Sequence, residues 1–141
     1  MGVEINWVAV LLATVSTMVV GSIWYGPLLG KAWARLAKVK KDPNFTASKA
    51  VVLYAGAFLV SFVSAVVLAI FTTIVADHFD TSFLWSALWT GLILWAGFTA
   101  ARITMHDSFE GRRKKLTLLN VTHELVTIEV MALIIGLWPV A

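Results

Sequence analysis

The sequence predicts an all-α fold: an integral membrane four-helix bundle of two antiparallel hairpins, with a short interfacial amphipathic helix after the first span. Two observations carry this. Of 141 residues, 60% are apolar and only 13% charged, against about 45–50% and about 25% in an ordinary soluble domain. The apolar residues are also contiguous. Four runs, about 5–29, 47–76, 82–105 and 116–138, each meet the roughly 20 residues a helix needs to cross a hydrocarbon core about 30 Å thick. They lack period-2 alternation and exceed the ~9–11 residues of a barrel strand. The length is that of one membrane domain, residues 1–141. A net charge of +3 does not point to nucleic acid, because the basic residues form two short clusters between apolar runs. With no cysteine, disulfides, thiolate metal sites and cysteine nucleophiles are excluded.

The first span carries Ala9, Ala13, Thr17 and Gly21 at four-residue spacing, a shallow groove on one helix face. It lacks the basic leader of a signal peptide and is longer than a signal peptide's apolar core. At its end stands Trp24-Tyr25-Gly26-Pro27, where proline removes a helix hydrogen bond and kinks or ends the helix. Beyond it, Lys31, Arg35 and Lys38 share one helical face and Trp33, Leu36 and Ala37 another. That pattern predicts an amphipathic helix lying in the interface, its cations toward anionic lipid head groups, with its end near Pro43. Thr46 or Ser48 can cap the second span.

The second span repeats the groove with Ala57, Ser61, Ala65 and Ala69, and the two rows are expected to face each other or a subunit contact. Small residues also line the third span (Ala87, Gly91, Gly97, Ala101) and the fourth (Ala132, Gly136). Lys31, Arg35, Lys38, Lys40, Lys41 and Lys49 lie between spans one and two, and Arg112, Arg113, Lys114 and Lys115 between three and four. Both clusters fall on one side, the cytoplasmic one by the positive-inside rule, which puts both termini outside. Arg112 and Arg113 are also expected near anionic head groups. Trp7, Trp85, Trp89 and Trp138 mark one interface, and Trp24, Tyr25 and Trp33 the other. Trp95, near mid-span, is expected to pack.

The fourth span concentrates the chemistry: Asn120, Thr122, His123, Glu124, Thr127 and Glu129 within ten positions. Ionisable groups at such depth cost roughly 2.5–3.5 kcal/mol each and point to function by default. At 100° per residue Asn120, His123, Glu124 and Thr127 form one stripe, while Glu129 points almost the opposite way. At 1.5 Å per residue Glu124 stands ~12 Å and Glu129 ~20 Å from Leu116, Glu129 near the midplane. Arg102 is placed either to pair with Glu124 or to extend to the head groups. Glu129 has no basic partner at its depth, and an unpaired carboxyl in apolar surroundings can carry a proton. His106 and Asp107 end the third span opposite His123 and Glu124, but each adjacent pair diverges by about 100° on its helix, so no metal is expected. No cofactor fingerprint, phosphate loop or catalytic triad is visible.

Asn6-Trp7, then Gly21-Ser22-Ile23-Trp24-Tyr25-Gly26-Pro27 and Gly30-Lys31-Ala32-Trp33, resemble the opening of a bacterial family of small four-span membrane proteins catalogued as a domain of unknown function. The stretch from Phe109-Glu110-Gly111-Arg112 through Leu116-Thr117-Leu118-Leu119-Asn120 to Gly136-Leu137-Trp138 resembles that family's last hairpin. The resemblance implies the four-span fold and a bacterial plasma membrane, and no activity or cofactor. From the residues, three functions compete. The first is a proton- or small-ion-linked transporter or channel-like protein using Glu129, Glu124, His123, Arg102 and Asn120, in a homo-oligomer that shelters Glu129. The second is an accessory subunit that packs against a partner, and the third a membrane enzyme with a site at the cytoplasmic mouth.

Overall fold

A computed structural model describes residues 2–140. Four helical spans are long and apolar enough to cross a membrane, and there is no strand among the described residues. The chain is a multi-pass membrane protein. Helix α1 (Trp7–Ile23) starts at Asn6, whose side-chain oxygen accepts from the amides of Val8 and Ala9. It runs on into a π-helical turn, Trp24–Leu28. Pro27 has no amide hydrogen to give, Gly26 leaves helical geometry (φ −110°, ψ −109°), and the Leu29 amide reaches five residues back to the Trp24 carbonyl at 2.9 Å.

Helix α2 (Gly30–Ala37) is the amphipathic segment. It ends six residues before Pro43, the expected end. Lys38 turns left-handed (φ 52°) and its amide bonds the Ala34 carbonyl, so a left-handed cap stops the helix before proline is reached. Thr46, and not Ser48, caps α3 (Ala47–Phe79), accepting from the Lys49 amide. The third span is α4 (Phe83–Leu94), a π-helical segment Trp95–Ala100 and α5 (Ala101–Phe109). The fourth is α6 (Lys114–Leu137).

In the bundle α1 packs on α3 and α6, and α4 packs on the same two, so neighbours in sequence are neighbours in space. Asn6 donates its side-chain amide to the Trp138 carbonyl at 3.1 Å, tying both ends of the chain at one face of the bundle, here the terminal end. The two basic loops lie at the other, the basic end. While Leu116, Leu119 and Val121 of α6 are buried in the basic half, the main buried cluster lies in the terminal half: Val10 and Ala13 of α1, Ala65 and Leu68 of α3, Ala87 of α4, and Met131, Ala132 and Ile135 of α6. Small residues let backbones approach there, which in lipid replaces hydrophobic drive. The limit is reached at Gly136, where an added Cβ would stand 2.9 Å from Leu84 Cα.

The two small-residue rows do meet. Ala9, Ala13, Ala65 and Ala69 are buried, and Thr17 donates its hydroxyl to Ser61 Oγ at 2.8 Å. Past that bond the helices part. Residues 51–60 of α3 are exposed on every side, with Val51, Val52, Leu53 and Tyr54 each 63–70% exposed.

A carboxylate-bearing cavity in the basic half

The parting of α3 opens a cavity of about 720 Å³ between α1, α3 and α6. Its wall on α6 is three residues of the predicted stripe of four, His123, Glu124 and Thr127, facing Gly21 of α1, Tyr25 of the π-helical turn and Tyr54, Ala57 and Ser61 of α3. Met18, Val60 and Met131 supply apolar wall, and Glu124 carries the only Asp, Glu, Lys or Arg side chain in the lining. The close-packed core shuts the cavity toward the terminal end.

His123 is fixed from four directions. Its ring lies 4.7 Å from the Tyr25 ring and 5.9 Å from the Trp24 ring, centroid to centroid. Nδ1 lies 3.3 Å from Glu124 Oε1, and Nε2 lies 3.3 Å from Thr127 Oγ1. A neutral ring with its hydrogen on Nδ1 satisfies both contacts, donating to the carboxylate and accepting from the hydroxyl. Gly21 faces the ring, where a Cβ would meet His123 Nε2 in ordinary van der Waals contact at 3.8 Å. Glu124 is left open to a ligand: its side chain is 44% exposed, against 12% for His123.

The π-helical turn at the end of α1 sets Tyr25. Its hydroxyl donates to Asn120 Oδ1 at 2.9 Å, and its ring meets Trp33 of α2 edge-on at 5.2 Å. Gly30 is required by this arrangement, because a Cβ would fall 2.6 Å from the Tyr25 carbonyl oxygen. A second cavity, about 450 Å³, lies on the basic-end side of Tyr25 and shares Tyr25 and Glu124 with the first. Asn120, Trp33, Asp107 and Arg112 also line it. The Tyr25–Asn120 bond therefore stands between two spaces that both reach Glu124. The π-helical segment in the third span braces α6 from the other side, with Trp95 Nε1 donating to the Val121 carbonyl at 2.9 Å.

Glu129 does face the opposite way from Glu124. Its Oε1 is buried without a hydrogen-bond partner and lies 3.1 Å from where a Cβ on Gly91 of α4 would stand. Of the two placements open to Arg102, the pair with Glu124 is not formed. Arg102 is exposed and makes no ion pair among the described residues. Nor do His106 and Asp107 join His123 and Glu124. Asp107 is buried and accepts from Thr117 Oγ1 at 2.7 Å, while His106 faces Glu110 at the surface, 3.9 Å away. No group of three or more His, Asp or Glu side chains converges as a metal site among the described residues.

Sequence reasoning missed Tyr25, Thr17 and Ser61 as cavity residues. The signal for Tyr25 was its place before Gly26-Pro27: a broken helix end is where a side chain can be redirected.

A small four-span membrane bundle with a half-open, carboxylate-bearing cavity in its basic half is thus the class that fold and site define. Residues 8–136 match the family described as protein of unknown function, DUF1761, and the chain belongs to that family. No curated protein and no solved structure matches the chain.

Proposed function

We propose that this chain is a small transport protein of a bacterial plasma membrane, with its basic loops in the cytoplasm and both termini outside, that takes a cation or proton into the cavity around Glu124. The observation that carries this reading is one-sidedness. The cavity bears a carboxylate in the basic half and is shut by Val10, Ala13, Leu68 and Met131 in the terminal half, which is one of the two states alternating access requires. Asymmetric distribution of Lys and Arg supports the orientation. In this reading Glu124 and His123 meet the ligand, Tyr25 and Asn120 stand between the cavity and the second space on its basic-end side, and Arg102 reaches the head groups. Glu129, five residues and about 7.5 Å further along α6, is the deeper proton-carrying group. Cations of Lys31, Arg35, Lys38, Arg112 and Arg113 hold the basic end against anionic lipid.

A homo-oligomer belongs to the proposal, since one four-helix bundle is small for enclosing a path; residues 51–60 stay exposed in the single chain. The same surface supports the accessory-subunit reading, in which another protein sits there. Flux in proteoliposomes separates the two. Transport predicts cation flux coupled to proton movement, which Glu124→Gln abolishes and Glu129→Gln uncouples from protons. A well-folded protein with no flux, recovered from its membrane with one stoichiometric partner, supports the accessory role instead.

A further inference from the structure

We infer that the ligand of the Glu124 cavity is a lipophilic organic cation, such as a substituted ammonium or phosphonium, entering sideways from the hydrocarbon past residues 51–60. This rests on the reading of the cavity as a binding site and names what it takes. Charge sets the sign: Glu124 is the lining's only Asp, Glu, Lys or Arg side chain, so an anion is repelled. A neutral solute would leave a carboxylate in a largely apolar site without a counter-charge. Size argues against a bare ion. About 720 Å³ lies within the roughly 300–1,000 Å³ of pockets for drug-sized ligands.

Coordination chemistry points the same way. A hard divalent ion takes six or more oxygen ligands, several of them carboxylates, and one carboxylate beside a histidine does not supply that set. Beside the hydroxyls of Thr17, Ser22, Ser61, Ser64 and Thr127, the lining has aromatic and soft surface. The Tyr25 and Tyr54 rings can lie against a cation's face, and Met18 and Met131 adapt to irregular apolar shapes. The route follows from α3, whose residues 51–60 are exposed all round beside the cavity, leaving its flank open to the acyl chains. Gly56 lines the opening, and a Cβ there meets nothing within 4 Å. A larger side chain at that position fills the space without displacing a neighbour.

The probe is tetraphenylphosphonium, with triphenylphosphine oxide as its neutral counterpart, in equilibrium dialysis against the full chain in detergent. Saturable binding of the cation at one site per chain is expected, at least tenfold tighter than the neutral compound. Glu124→Gln weakens it at least tenfold, Gly56→Phe removes it, and Tyr54→Ala, at a position already 68% exposed, weakens it several-fold without unfolding. Asp77→Asn, at the other end of α3, changes nothing. Equal binding of the two compounds, or cation binding unaffected by both Glu124→Gln and Gly56→Phe, overturns the inference. Cation binding without any flux overturns the transport reading and leaves the ligand class standing. Glu124-dependent proton flux without cation binding does the reverse.

Discussion

The two halves of this bundle are built from similar residues and end differently. In the terminal half the small-residue rows close: Ala9 and Ala13 meet Ala65 and Ala69, Gly136 admits Leu84, and the chain ends are tied by Asn6 and Trp138. In the basic half the same rows continue with Gly21 and Ala57, yet these face a cavity. Small residues permit close approach and do not enforce it. What differs is the neighbouring chemistry. The π-helical turn at Trp24–Leu28 brings Tyr25 against His123 and Asn120, so aromatic and polar groups take up the space on α1 and α6 that would otherwise admit α3.

Substitutions sharpen the contrast. The largest effect is expected from Gly136→Leu, which drives a side chain into the Leu84 backbone. Overpacking of this kind costs about 1–3 kcal/mol, read as a lower unfolding midpoint in detergent. Gly56→Leu, the same change in the open half, should leave the stability within about 0.5 kcal/mol of the parent and the midpoint nearly unmoved, as surface substitutions do. If Gly56→Leu were as damaging as Gly136→Leu, the halves would not differ in packing. Asn6→Ala removes the α1 cap and the tie to Trp138, at about 1 kcal/mol. The smallest effect belongs to the boundary between halves. Thr17→Val loses the bond to Ser61, about 0.6 kcal/mol by the average for such bonds between membrane helices, and should widen the cavity more than it destabilises the fold.

The fold was largely legible because hydrocarbon imposes few solutions: run length sets spans, and charge bias between loops sets which ends share a side. The stripe of Asn120, His123, Glu124 and Thr127 was legible for the same reason, as helix periodicity alone puts them on one face. Arg102 shows where that reasoning stops. Depth along a span does not say which way a neighbouring helix turns its side chains, so the sequence left open whether Arg102 pairs with Glu124 or extends to the head groups. The π-helical segments were not legible either. Pro27 announced an interruption without its geometry, and nothing at Trp95–Ala100 marks the extra residue per turn. Those segments aim Tyr25 and Trp95 at α6, so the site depends on the least readable parts of the chain.

The absence of native cysteine makes one measurement direct. Single cysteines placed at Gly56 in the open half and at Thr72 in the closed half can be compared for reaction with a cationic, membrane-impermeant methanethiosulfonate in sealed vesicles of known orientation. Applied from the side of the basic loops, the reagent should modify the residue-56 thiol rapidly and the residue-72 thiol hardly at all. Equal rates at the two positions, or modification of residue 56 only from the side of the termini, would contradict a bundle open at one end.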